Sequence, residues 1–168
     1  ADFGATTYDW DNMANYYNDY FNNDGSIIWL SAPSSEQLSA IATLMYHCGV
    51  SVEMDYGGSS TGGSGAYTAN VAEALKTYFN YCSNTIFRTK DDYENTVWIN
   101  MVKHELDNSR PLEYYGQDTV PNGVGHAFVC DGYNSDSYFH FNWGWSGHYD
   151  GYFTLSNLDT GANSGESG

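Results

Sequence analysis

The sequence predicts an α+β fold. Two observations carry this: apolar residues recur at helical spacing three times before Pro111, and beyond it the pattern changes to short strands divided by Asp, Asn, Ser and Gly turns. A third is that no repeat of fixed period and no long linker interrupts the 168 residues, which places them in a single domain, helix-rich over 1–110 and strand-rich over 111–168. With 41% hydrophobic and 17% aromatic residues, one core can be filled.

The first helix is predicted over about 35–48. Ser34 offers an N-cap with Gln37 three residues on, and Leu38, Ile41, Leu44 and Met45 follow at helical spacing before Gly49. SVEMDY (51–56) reads as extended and leads into GGSSTGGSG (57–65), where five of nine residues are glycine. That stretch is either a surface loop or a glycine-rich wall that lets a substrate backbone approach. Val71, Ala74, Leu75, Tyr78 and Phe79 mark a second amphipathic helix. A third is predicted over about 91–107, with acids in its first turn and Trp98, Met101, Val102 and Leu106 on one stripe. Strands are expected over 112–115, 125–133, 137–143 and 151–155.

Charge excludes several partners. The chain carries 21 Asp and Glu against 5 Lys and Arg, a formal net charge of −16, so it repels phosphate backbones and anionic bilayers. Neither nucleic acid nor membrane is an expected partner, and no run approaches the ~18 apolar residues of a membrane span. Cys48, Cys82 and Cys130 are too few and too scattered for a disulfide framework or a His/Cys zinc site, and no phosphate-binding glycine loop is present. No cofactor or metal is expected; Asp24-Gly25, Asp131-Gly132 and Asp150-Gly151 read as turns able to hold at most an adventitious calcium ion.

The chemistry concentrates in GHAFVCDGYNSDSYFHFNWGW, residues 125–145. His126 opens a strand after a turn-forming stretch, and Gly125 leaves room beside its ring. His47, His104 and His148 sit at a helix end, within a helix and in a polar turn, where a cap or a solvated face is the default. A general base in a thiol enzyme needs a neighbour to hold its second nitrogen. A hairpin around Asn134–Asp136 would bring Asn142 to His126, with Trp143 and Trp145 beside the pair to exclude water. On spacing alone, a structural hairpin with a satisfied histidine explains the pattern as well as a catalytic one. None of the three cysteines opens a helix, where a thiolate is stabilised, and Cys130 lies roughly 13 Å along the strand from His126.

Residues 125–155, GHAFVCDGYNSDSYFHFNWGWSGHYDGYFTL, resemble the histidine region of the streptopain family of secreted bacterial cysteine proteases. CGVSVEMDYGGSSTGGSG (48–65), the helix after it and RPLEYYGQ (110–117) are similar to the same family, so the resemblance spans about Tyr8 to Leu158. It implies a papain-like fold, protein or peptide substrates, and hydrolysis through a thioester acyl-enzyme. In that reading His126 is the general base, Asn142 orients it, Trp143 covers the pair and Trp145 belongs to the cleft wall. Val124, Gly125 and Ser59 would border the S1 and S2 sites. The family's nucleophilic cysteine lies in a segment upstream of Tyr8-Asp9-Trp10-Asp11, which makes this chain a portion incomplete at both ends, with that Cys-bearing segment as its partner. By itself it should be inactive. The alternative is a protease-like binding or structural module without catalysis.

Overall fold

A computed structural model describes residues 1–14, 19–21, 27–29, 32–58, 63–117 and 125–160. The chain divides into two compact units, Ala1–Phe87 and Arg88–Gly168.

In the first unit a two-stranded antiparallel hairpin, β1 (Asp19–Phe21) and β2 (Ile27–Trp29), precedes helices α1 (Ser35–Ser51) and α2 (Ala69–Tyr78). The predicted cap is present in full: the Ser34 hydroxyl accepts the Gln37 N–H at 3.2 Å, and the Gln37 side chain accepts the Ser34 N–H at 2.9 Å. The buried face of α1 is a correction. Leu38 and Met45 of the apolar stripe are exposed, whereas Ala40, His47 and Gly49 are buried. The N-terminal segment explains this, since Phe3 stacks on Tyr78 and packs against His47 and Phe79, while Tyr8 hydrogen-bonds His47 Nδ1 at 2.9 Å.

At Gly49 a Cβ would collide with the Tyr56 hydroxyl, so a larger residue there requires the exposed Tyr56 ring to shift. The extended reading of 51–56 is also corrected. Ser51 is the last helical residue, Val52 and Glu53 turn, and only Asp55 pairs, in an isolated antiparallel bridge to Gly65. Glu53 adopts a left-handed φ of 58°, which lets the Met54 N–H return to the Gly49 carbonyl at 2.9 Å.

The second unit is an antiparallel sheet in the order β3 (Leu112–Gln117), β4 (Gly125–Tyr133), β5 (Phe139–Asn142), β6 (Gly151–Phe153), with helix α3 (Asn95–Asp107) packed on it. The helix-rich part of the sequence therefore runs past the division between the units, because α3 belongs with the sheet. Its acids are not in its first turn: Asp91 and Asp92 lie in a separate 3-10 turn and Glu94 is the N-cap residue. Trp98 and Val102 of its stripe are buried with Phe128, Cys130, Phe139, Phe141, Trp143 and Leu155. Strand alternation produces that core, since Phe128 and Cys130 face it while Val129 is exposed, and Phe139 and Phe141 face it while Asn142 is exposed. The Trp98 indole N–H is satisfied by the Tyr114 hydroxyl at 2.8 Å.

Candidate active site

Strand β4 presents His126 on the same side as Phe128, at the end of the core. The imidazole is half-buried and stacks on Trp145, centroids 4.7 Å apart with the planes at 25°. Trp143 lies nearly parallel to the imidazole at 6.4 Å, and Phe128 completes the cluster, its ring centroid 4.4 Å from Trp143 and 5.8 Å from His126. The Trp143 indole Nε1 is buried and has no hydrogen-bond partner among the described residues.

His126 Nε2 lies 2.7 Å from the main-chain oxygen of Trp143. A carbonyl only accepts, so Nε2 carries a proton in either charge state, and Nδ1 is the nitrogen free to gain or lose one. That is the protonation pattern of a histidine base held by its far nitrogen.

The expected contact between His126 and Asn142 is not formed. Register explains why. Asn142 pairs with Val129 and Phe141 with Cys130, because a bulge between Cys130 and Gly132 puts Asn142 opposite Val129 rather than Cys130 and so on the outer face. Asn142 thus stands opposite a residue three positions from His126 and on the other face of the sheet. Its Oδ1 accepts the Gly144 N–H at 2.9 Å instead. The main chain one residue further on supplies the contact that the side chain was expected to make.

Trp143 and Trp145 do lie beside the imidazole. At Gly125 the expected room is taken, because a Cβ there would collide with the Tyr115 phenol; the missing side chain accommodates Tyr115. Val124 and Ser59 lie outside the described residues, as does the centre of the glycine-rich stretch.

The cysteine of the second unit, Cys130, lies four residues along β4 from His126. Cys130 is 0% exposed, and burial first, then the Asp131 carboxylate, pushes its thiol up to about 12, against a weaker opposing hydrogen bond from the Gly132 backbone. Such a group stays a neutral thiol. Cys48 and Cys82 belong to the first unit and are exposed, and partial desolvation holds the Cys48 thiol above its ordinary range. No cluster of three or more His, Cys, Asp or Glu side chains suited to a metal ion occurs among the described residues.

Of the other histidines, His104 and His148 are exposed, whereas His47 is buried in the Phe3–Tyr8 aromatic cluster. His140 was not singled out by sequence reasoning; its Nδ1 sits 2.6 Å from Asp131 Oδ1 and its ring meets Tyr152 edge-on. Both partners are partly exposed, and the pair is an ion pair on the outer sheet face when His140 is protonated.

The architecture, helices with an antiparallel four-stranded sheet, is that of papain-like cysteine proteases. Active interpain A of Prevotella intermedia superposes with a TM-score of 0.80 at 40% identity, over 96% of this chain and 61% of that one. A prointerpain A fragment matches with a TM-score of 0.75 at 41% identity, over 92% and 43%. The chain belongs to the Peptidase C10 family, whose model matches residues 1–153. Among curated relatives, streptopain of Streptococcus pyogenes is 38% identical and the thiol protease/hemagglutinin PrtT of Porphyromonas gingivalis 37% identical, each over 129 residues or 77% of this chain. The chain spans only 31% of that streptopain and 14% of PrtT. No described helix is long and apolar enough to cross a membrane.

Proposed function

We propose that this chain is the histidine-bearing part of a secreted bacterial cysteine endopeptidase, with His126 as general base and a nucleophilic thiol contributed from outside these 168 residues. The observation that carries the reading is the 2.7 Å contact from His126 Nε2 to the Trp143 carbonyl, which leaves Nδ1 as the working nitrogen. Membership of a cysteine peptidase family supports it.

In this reading Nδ1 takes the thiol proton and the thiolate attacks the scissile carbonyl carbon. The C–N bond breaks as Nδ1–H returns the proton to the leaving amine, and a thioester remains. Water then attacks the thioester while Nδ1 accepts its proton, releasing a carboxylic acid and restoring the thiol. The Trp143 carbonyl holds the ring and stabilises the imidazolium between these steps, the part first assigned to Asn142. Trp145, stacked on the ring and 40% exposed, forms the cleft wall and limits water at the imidazole. Val124 and Ser59 remain proposed borders of the S1 and S2 sites, and Tyr115 over Gly125 adds an aromatic side to them.

An epoxide probe of thiol proteases, applied to the full-length protease and read by peptide mass spectrometry, tests this. Label on a cysteine other than Cys48, Cys82 and Cys130, with a fall of at least ~10³ in kcat/KM for His126→Ala, is the expected result. Activity of His126→Ala within tenfold of the parent would overturn it.

A second reading, a protease-like module without catalysis, is favoured by one observation: the sole cysteine of the histidine-bearing unit is buried and un-ionised. Absence of any probe-reactive thiol in the full-length protein would establish that reading.

A further inference from the structure

The Trp143 carbonyl lies outside the sheet ladder. β5 ends at Asn142, whose partner across the β4 ladder is Val129, and the β5–β6 pairing runs only from Phe139 to Phe141, so the Trp143–Gly144 peptide lies beyond both ladders. A backbone group in that position must find partners elsewhere. It does so through two side chains. The Trp143 N–H donates to Asp150 Oδ1 at 2.9 Å, and the Gly144 N–H donates to Asn142 Oδ1 at 2.9 Å. Because the Gly144 N–H and the Trp143 C=O belong to one peptide unit, Asn142 and His126 hold opposite ends of the same dipole. Hydrogen bonds arranged in series polarise one another, so the Asn142 contact strengthens the carbonyl as an acceptor for His126.

Asp150 comes from the far end of the intervening loop. Residues 144–150 wind back through Gly144, Ser146, Gly147 and Tyr149, all with positive φ between 53° and 83°, and deliver Asp150 beside Trp143 just before β6 begins. The left-handed geometry at Ser146 and Tyr149 is one that side chains seldom adopt, and it is retained where the loop must double back within seven residues.

We propose that Asp150 is a positioning residue for the base: its carboxylate fixes the Trp143 main chain, with Asn142 bracing the next peptide, so that the Trp143 carbonyl holds His126 in one orientation and one tautomer. The inference builds on the assignment of His126 as base, but its geometric content stands independently of catalysis.

The test is nitrogen-15 NMR of the His126 ring in the 168-residue chain, paired with kinetics of the full-length protease. In the parent, His126 should show the Nε2–H tautomer with a slowly exchanging ring proton. Asp150→Ala should speed that exchange roughly tenfold or more, as expected for loss of one restraining hydrogen bond, and mix the tautomers. Asp150→Asn, which keeps an acceptor oxygen, should restore the parent behaviour. In the protease, Asp150→Ala should lower kcat about 10- to 100-fold through misorientation, with KM little changed.

If Asp150→Ala does not fold, Asn142→Ala serves, with exchange accelerated in the same direction and rescued by Asn142→Asp. Unchanged tautomer and exchange in whichever of these alanine variants folds would overturn the proposal. Altered ring exchange with unchanged kcat would instead support the clamp and remove the catalytic role of His126.

Discussion

Alkylating the folded chain with iodoacetamide at about pH 8 should separate its three cysteines by rate, with Cys130 last by a wide margin. The thiol of Cys130 is pushed up to about 12. A thiol at the unperturbed value of 9.0 is about one-tenth thiolate at pH 8, whereas one at 12 is ionised to about 1 part in 10⁴, a ratio near 1,000. The greater intrinsic nucleophilicity of the more basic thiolate returns about 20-fold of this, leaving a net factor of about 50 from ionisation. Burial multiplies it. Cys130 is 0% exposed, so the reagent must wait for an opening of the core. Competitive labelling with light and heavy reagent, quenched over time and read by peptide mass spectrometry, should find Cys82 modified first and Cys130 at least ~50-fold slower. Labelling of Cys130 at the rate of Cys82 would refute its placement in the core and return it to consideration as a nucleophile. The shift has a second consequence with a definite sign. A thiol whose folded value lies above its unfolded value of 9.0 stabilises the fold fully below pH 9, and that contribution is lost as pH rises toward 12. Three pH units correspond to at most ~4 kcal/mol, so Cys130→Val should show a flatter alkaline decline in urea stability than the parent.

Three further outcomes follow from packing and hydrogen bonding. Ser34→Ala should cost about 1 kcal/mol in urea denaturation by removing one arm of the capping box, and Ser34→Asp should recover most of it. Phe141→Ala should cost about 3–5 kcal/mol, since its fully buried ring meets Tyr114, Phe128, Trp143 and Phe153; a loss below ~1 kcal/mol would contradict that packing. Tyr8→Phe should cost about 1–3 kcal/mol because it strips the partner from Nδ1 of a histidine that is 5% exposed, and Tyr8→Phe in a His47→Leu background should cost less, which a double-mutant cycle measures.

Local signals were legible in the sequence because local physics decides them. Ser34 and Gln37 announce the start of α1 through contacts three residues apart, and the alternation of Phe128 and Cys130 with Val129 gives β4 its bounds at Gly125 and Tyr133. Trp143 and Trp145, although 17 and 19 residues from His126, were legible beside it because the turn residues between them announce a hairpin. The identity of the acceptor for Nε2 was not. A hairpin drawn from the turn residues puts Asn142 near His126, but a bulge of one residue at Asp131 reverses which face each position takes relative to its partner, and no residue type there announces it. The bulge also accompanies the Asp131–His140 contact, which strand alternation alone does not suggest. Burial of His47 was hidden for a different reason, since Phe3 and Tyr8, some forty residues away, decide it.

Using a main-chain carbonyl to hold His126 moves the constraint on sequence. A side-chain orienter is marked by its own residue type, whereas a carbonyl is present at every position and is specified only by what fixes its peptide. In this chain that burden falls on Asn142, Gly144 and Asp150. Gly144 has φ of +77°, which turns the chain into the loop directly after the peptide whose N–H reaches Asn142 and whose oxygen faces His126. The Asn-Trp-Gly-Trp run is then a single device: the two indoles stack along the imidazole, and the asparagine and glycine between and beside them set the plane of the peptide that grips it. This accounts for an asparagine 16 residues beyond His126 that braces the peptide holding the imidazole without a hydrogen bond to the ring itself.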